Sequence, residues 1–378
     1  MNRDSECQAG PLAGLRVVEI AALGPAPFAG MLLADLGADV VKIARIGQAA
    51  AVKEDFVQRG RRSIELDLKD PTSVQSVLDL LAKADVLIEG FRPGVMERLG
   101  LGPKDAWARN PRLVYGRMTG WGQDGPLADR AGHDINYISI SGSLGSFRAA
   151  DGTPVAPLNM VGDYGGGSLY LVVGVLAAVM EAWRSGKGQV VDAAMCDGAS
   201  HMLTSFHSLL RMGMWTAKPG KNIIDGGAHY YRSYRCADGE YLSVGAIEKQ
   251  FYAIFCQLIG AGQRMAENQN KQSLWPEFQN ELEAIFVKKT RNEWMAIFDG
   301  TDACVAPVVN LVEGPSHPHL AQRGTFVNHN GYVQPAPAPR FSRTVAKIGA
   351  SPDAPLVDVS SVLATWTQSN VFQREPAE

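Results

Sequence analysis

The strongest constraint on the fold lies near the amino terminus, where residues 15–43 spell out a strand, a turn, a helix and a second strand. Leu15-Arg16-Val17-Val18-Glu19-Ile20 is short and β-prone, and Gly24-Pro25-Ala26-Pro27 interrupts it. Residues 28–36 carry apolar side chains at helical spacing, and Val40-Val41-Lys42-Ile43 follows Gly37 as the next strand. A helix joining two strands makes them parallel with a right-handed crossover, and it places a site at their carboxyl ends. The first turn has no G-x-G-x-x-G, which disfavours a dinucleotide.

The pattern continues. Ser63-Ile64-Glu65-Leu66-Asp67-Leu68 alternates like a strand with one wet face, and Asp70-Pro71 opens a helix that runs through Leu81, with Asp as N-cap and Pro in the first turn. Asp85-Val86-Leu87-Ile88-Glu89 is a strand ending in Gly90-Phe91-Arg92-Pro93-Gly94, and Leu113-Val114-Tyr115-Gly116-Arg117 is another. Residues 169–180 read as a buried helix with Leu171, Val175 and Met180 in the core, and Gln189-Val190-Val191-Asp192-Ala193 as the last central strand. Residues 1–199 are therefore expected to form a large doubly wound parallel-sheet (Rossmann-like) α/β domain.

Residues 200–224, rich in Met, His, Lys and Gly, read as a connector. Residues 225–310 read as a smaller α+β domain, entered through a hairpin around Ala237-Asp238-Gly239-Glu240. Residues 311–378 return to pack on the large domain, with an extended proline-rich stretch at 335–339.

A chain of 378 residues with 46% hydrophobic and 20% charged content can bury two such cores. Its net charge of -3 argues against a general nucleic-acid binder. Five scattered cysteines, without a CxxC pair, suggest a reducing compartment. Residues 1–10 lack the apolar core of a signal peptide, the longest apolar run stops at Glu181, short of a bilayer span, and the last residues are not a peroxisomal address. A cytoplasmic protein that engages no membrane is expected.

The chemistry concentrates in Gly132-His133-Asp134-Ile135-Asn136-Tyr137 and in Asn159-Met160-Val161-Gly162-Asp163-Tyr164-Gly165-Gly166-Gly167. An imidazole and a carboxylate there sit in glycine-rich surroundings ahead of a helix, whose amino terminus favours a carboxylate, an oxyanion or a phosphate. His201, His207, His317 and His319 lack further ligands at zinc spacing, so no metal site is expected. No G-x-S-x-G elbow is present.

With Asp225-Gly226-Gly227-Ala228, Val244-Gly245-Ala246-Ile247-Glu248 and Phe298-Asp299-Gly300-Thr301-Asp302-Ala303-Cys304, these motifs mark a resemblance over nearly the whole chain. The sequence resembles the alpha-methylacyl-CoA racemases within the family III CoA-transferase superfamily. The resemblance implies inversion of the carbon beside a thioester in 2-methyl-branched acyl-CoA, with no cofactor beyond the CoA of the substrate. It implies that His133 and Asp163 are the acid/base pair, that Glu248 pairs with the histidine and that Asp134 is a second acidic neighbour. It also implies an interlocked homodimer, with Glu248 reaching the site from the other subunit.

Such a substrate brings a diphosphate and a ribose phosphate, so cations near strand ends are expected to bind it. Arg59, Arg61, Arg62 and Ser63 precede or open a strand, Arg92 follows one, and Lys42 and Arg45 are further candidates. Gly132, Ile135, Asn136 and Tyr137 are expected to contact the CoA moiety as part of the motif. Ala44 stands where the family commonly has an acid, and His229 and Lys249 replace expected prolines beside the second-domain part of the site, with consequences for substrate preference. Two other readings stay open: a CoA-transferase in which Asp163 attacks a thioester, and a non-catalytic acyl-CoA binder.

Overall fold

The computed structural model describes residues 10–49, 51–149 and 151–368. Cys7 and the segments bearing on a leader or a terminal address lie largely or wholly outside these residues. The chain divides into two compact units: residues up to 143, 156–203 and from 321 onward form the larger, and 144–155 with 204–320 the smaller.

The larger unit opens with β1 (Arg16–Ile20), α1 (Pro25–Asp35), β2 (Asp39–Ala44), β3 (Arg61–Glu65), α2 (Pro71–Leu81) and β4 (Val86–Glu89). It continues through α3 (Val95–Arg98), α4 (Pro103–Arg109), β5 (Val114–Thr119), α5 (Asp134–Ile140), α6 (Leu169–Ser185), β6 (Val190–Ala194) and α7 (Met195–His201). The six strands form one sheet in the order β3-β2-β1-β4-β5-β6, with every pairing parallel. This is the doubly wound arrangement, and its order reverses between β1 and β4, the point at whose carboxyl ends folds of this kind bind their ligands.

Strands covered on both faces must be apolar on both, which is why Val17, Val18, Val40, Val41, Val86 and Leu87 are all buried. One face of the sheet packs on α1 and α6 through Leu33, Leu171, Val175 and Val179. The other packs on α2 and α4 through Val77, Leu80, Leu81 and Ala106. The expected start of α2 is present: the Asp70 carboxylate accepts the Thr72 and Ser73 backbone N–H groups.

Three expectations change in this unit. The strand at 190–194 is the sheet's edge rather than a central strand. Met180 is 62% exposed, so the buried stripe of α6 is Leu171, Val175, Ala178 and Ala182 instead. The apolar segment is also longer than expected, because a π-helical turn at Met160–Ser168 runs directly into α6. The resulting 26-residue helix is long and apolar enough to cross a membrane, yet half of its apolar window is buried inside the protein, as in a core helix.

The smaller unit holds α8 (Thr204–Arg211), β7 (Tyr231–Arg235), β8 (Tyr241–Gly245), α9 (Lys249–Ile259), α10 (Gln263–Glu267), α11 (Trp275–Phe286), α12 (Arg291–Phe298) and β9 (Val305–Pro307). Its antiparallel sheet, β7-β8-β9, includes the expected hairpin. The stretch read as a connector contains α8, none of whose residues is buried. The chain then passes through α13 (Pro318–Arg323) into β10 (Phe326–His329), β11 (Tyr332–Pro335) and, after the prolines, α14 (Val359–Gln368). The antiparallel pair β10-β11 had no counterpart in the sequence reading. Val362 and Trp366 of α14 join the second core of the parallel sheet, and the larger unit takes up the chain from 321 onward, whereas 311–320, expected to return to it, belongs to the smaller unit.

Cys196, Cys236, Cys256 and Cys304 are free thiols. His229, expected beside a substrate, is instead 0% exposed in the aromatic core of the smaller unit, edge-on to Tyr230, Tyr252 and Phe278. Its Nε2 is 2.7 Å from the Tyr252 hydroxyl, which donates to the Met265 carbonyl, so Nε2 carries the proton.

Burial pushes His229 down to about 4. An unfolded chain takes up a proton as pH falls through an ordinary imidazole's 6.5, whereas the folded chain resists until about 4. This contribution is complete above the higher value and is lost between the two, up to about 3 kcal/mol. The urea midpoint of the smaller unit is expected to drop between pH 7.5 and pH 5, and His229→Phe to flatten that drop. A wild-type midpoint that stays constant over this interval would exclude the effect.

Candidate active site

Asp163 lies inside the π-helical turn rather than ahead of a helix. The turn is closed by the Tyr164 N–H reaching back five residues to the Asn159 carbonyl at 3.3 Å, a geometry that shifts side chains out of α-helical register. Buried Ser168 donates to the Pro25 carbonyl at 2.7 Å, which ties the turn to the start of α1. Asp163 is thereby pressed onto the β1–α1 loop. A Cβ on Gly24 would lie 3.3 Å from Asp163 Oδ2, and Gly24 has φ +73°, so glycine serves both the backbone and the close approach.

The expected helix after His133 is α5, with His133 as its N-cap residue. The His133 N–H donates to Asn136 Oδ1 at 3.1 Å, and its ring is exposed. Tyr137 on the same helix is buried against Trp121, ring centroids 4.6 Å apart, and its hydroxyl donates to the Gly132 carbonyl. The motif residues Gly132, Asn136 and Tyr137 thus shape the loop that carries His133. Ile135 is exposed beside them.

Asp134 has a definite task. It is buried, and its Oδ2 accepts the backbone N–H of Asp163 at 2.7 Å. The first residue of α5 therefore sets the position of the turn that bears Asp163, while its Oδ1 is buried without a partner.

Partial burial raises the pKa of the Asp163 carboxyl, the Asn159 amide at 3.1 Å pulls it down, the Asp134 charge pushes it up and His133 pulls it down. The net shift is upward, toward the range in which a carboxyl can both take and give a proton. His133 and Asp163 are close enough to act on one another electrostatically. Asn159, four residues before Asp163, is a contributor whose role sequence reading did not assign.

The cations divide into two sets. Arg59 is buried, forks onto Asp35 at 3.0 and 2.6 Å, and also donates to Gln334 Oε1 and the Pro335 carbonyl. Arg61 is buried and holds Glu19 at 2.6 Å together with the Pro27 and Val57 carbonyls. Lys42 is buried beside Gln58, and Arg62 forks onto Asp39. Ser63 is partly buried, and its carbonyl accepts the Val357 N–H. The donors of Arg59 and Arg61 are committed within the chain, which corrects the expectation that they face a phosphate. Arg92, in the loop after β4, is exposed, makes no hydrogen bond or ion pair among the described residues, and lies within electrostatic reach of Tyr137. Arg45 is likewise exposed.

In the smaller unit Glu248 is exposed, immediately precedes α9 and adds to the burial that raises the Cys304 thiol's pKa. Lys249 beside it is exposed, and Ala44 is buried at the end of β2. Among the described residues no cluster of His, Cys, Asp and Glu could hold a metal ion.

The site in the larger unit thus combines a carboxylate and an imidazole with an exposed arginine in the loop after β4, which lies against the loop after β1. Comparison with known proteins agrees with this setting. The model of CoA-transferase family III matches residues 12–358. The chain is 44% identical to mouse alpha-methylacyl-CoA racemase over 90% of its length and 89% of the relative's. It is 43% identical to the human protein of that name, covering 89% and 87%. A CAIB/BAIF family protein from Brucella suis has the same fold, with a TM-score of 0.79 and 26% identity, over 95% of this chain and 100% of that one. This chain belongs to CoA-transferase family III.

Proposed function

We propose that the protein is a racemase that interconverts (2R)- and (2S)-2-methylacyl-CoA thioesters by proton transfer through an enolate-like intermediate. The observation that carries this reading is Asp163, raised in pKa and pressed onto Gly24 at the carboxyl end of β1, within electrostatic reach of His133. Removing the proton beside a thioester carbonyl from one face and returning one to the other takes two groups that share a single exchangeable proton. In one direction neutral His133 accepts and protonated Asp163 donates; in the other the roles reverse, at the same total charge. Arg92 is the cation best placed to meet the phosphates of CoA, and the chemistry requires no further cofactor.

Glu248 would complete the site by orienting the His133 ring from a second subunit of a homodimer. Sedimentation that finds a fully active monomer would remove this part of the reading. The transferase alternative keeps Asp163 as a nucleophile toward the thioester. The imidazole beside Asp163 favours the racemase, because a carboxylate nucleophile has no need of a second proton-transfer group on the opposite face. Incubating one pure epimer of a 2-methylacyl-CoA in heavy water tests the choice. The racemase gives the other epimer with deuterium at carbon 2. Transfer of CoA to a free acid without deuterium at that carbon would overturn it.

A further inference from the structure

The loop that carries Arg92 is fixed at both ends by one buried cation that Arg92 does not touch. Glu89, the last residue of β4, is 3% exposed, and its Oε2 accepts the Phe91 backbone N–H at 2.7 Å. Its Oε1 faces Arg117 Nε at 3.6 Å, and Arg117 is its register partner on β5. The same guanidinium holds Glu97 on α3 and Gln123 Oε1, the latter at 2.7 Å, and lies 5.1 Å from the centroid of the Tyr115 ring. The entry to the loop is thus tied to Arg117 through Glu89, and its exit through Glu97.

From beneath, the loop has no slack. A Cβ on Gly90 would come within 2.9 Å of the Ala22 Cβ, so the chain after β4 lies directly on the loop after β1. Between these anchors Arg92 is exposed and unpaired among the described residues. A flexible arginine binds a phosphate less well than one whose backbone is already in place, since ordering the loop costs conformational entropy.

Taking the proposed acyl-CoA reading as its basis, we infer that Glu89 and Arg117 are positioning residues, which hold the 90–94 loop so that Arg92 meets the nucleotide phosphates of the substrate. Glu89 faces Arg117, Asp192 and Tyr115 from the sheet and Glu97 from α3. Burial, opposed by the Phe91 N–H and Arg117 and reinforced by the two other carboxylates, brings Glu89 up to about 7. Its clamp is fully charged only above that value, so acyl-CoA binding weakens as pH falls through it.

Kinetic constants of the homogeneous full-length protein are compared for a 2-methylacyl-CoA and for the same acyl group on pantetheine, which lacks the nucleotide. Glu89→Ala is expected to raise KM for acyl-CoA about tenfold while leaving kcat and the pantetheine KM near wild type. Combined with Arg92→Ala, it adds nothing to the effect of Arg92→Ala alone. Glu89→Gln keeps the shape and a carbonyl acceptor, and is expected to raise KM at pH 8 to the value wild type reaches at pH 6. Equal losses with both substrates, or an unchanged acyl-CoA KM in Glu89→Ala alongside a raised one in Arg92→Ala, would overturn the inference alone. An acyl-CoA KM unmoved by Arg92→Ala would remove the phosphate contact from the proposed function, and the inference with it.

Discussion

Replacing His133 or Asp163 by alanine is expected to lower racemisation in both directions by about 10²- to 10⁴-fold, the contribution typical of one positioned acid/base group. That corresponds to about 3–5 kcal/mol of barrier. The two variants should differ from a simple loss of binding, because each leaves the partner group in place. In His133→Ala, Asp163 keeps its Asn159 partner and its backbone bond to Asp134. It can remove a proton and return one to the same face, so solvent deuterium enters one epimer without inversion. A transferase would behave otherwise: Asp163→Ala abolishes turnover while His133→Ala is mild. Racemisation that persists undiminished in either variant excludes the assigned pair.

The pH profile follows from the same groups. Asp163 is raised by burial and by Asp134, so it stays protonated to a higher pH than a solvated carboxyl. Because the two working states of the pair hold the same number of protons, both directions lose activity together along one acid limb as pH falls, and burial and Asp134 place that limb higher than a solvated carboxyl would. Asp134→Asn keeps an oxygen to accept the Asp163 N–H and removes the nearby charge, so it should shift that limb to lower pH.

The second large effect concerns stability. Arg61→Ala is expected to cost about 3–5 kcal/mol, because it strands a carboxylate in the interior. Glu19 is 0% exposed and holds Arg61 at 2.6 Å, and one of its two oxygens is already without a partner. Such a loss is a large share of a typical domain's margin of about 5–15 kcal/mol. Arg59→Ala should behave alike, since it strands Asp35 and releases Gln334 and the end of β11 from α1. Denaturant midpoints measure this directly, and Glu19→Leu with Arg61→Met should recover much of the loss by replacing the pair with apolar volume. A stable Arg61→Ala whose only defect is a raised KM for acyl-CoA would return Arg61 to the binding site.

The contrast between Arg61 and Arg92 shows where sequence reading reaches its limit. Both are arginines beside a strand end, and a run such as Arg59-Gly60-Arg61-Arg62 reads as a basic surface. The counter-charges of Arg59 and Arg61 lie 24 and 42 residues away, at Asp35 and Glu19. Gly30 leaves room for the second pair, as a Cβ there would fall 2.0 Å from Glu19 Oε2. Nothing local to the run announces any of this.

What the sequence by itself determined was everything carried by short-range rules. The two-faced apolar strands, the Pro and Asp at helix starts and the hairpin signal around Gly239 specify the parallel sheet and the smaller α+β unit. The acid/base candidates His133 and Asp163 came from the family resemblance that their motifs carry. The tertiary structure decided which charges are spent inside the fold, that Asp163 sits in a π-helical turn against Gly24, and that 190–194 is an edge strand. It also placed 144–155 with the smaller unit and made His229 a core residue. The physical reason is common to all of these. A side chain's burial, partner and pKa depend on neighbours brought together by the sheet's crossovers, and those neighbours are distant in the chain.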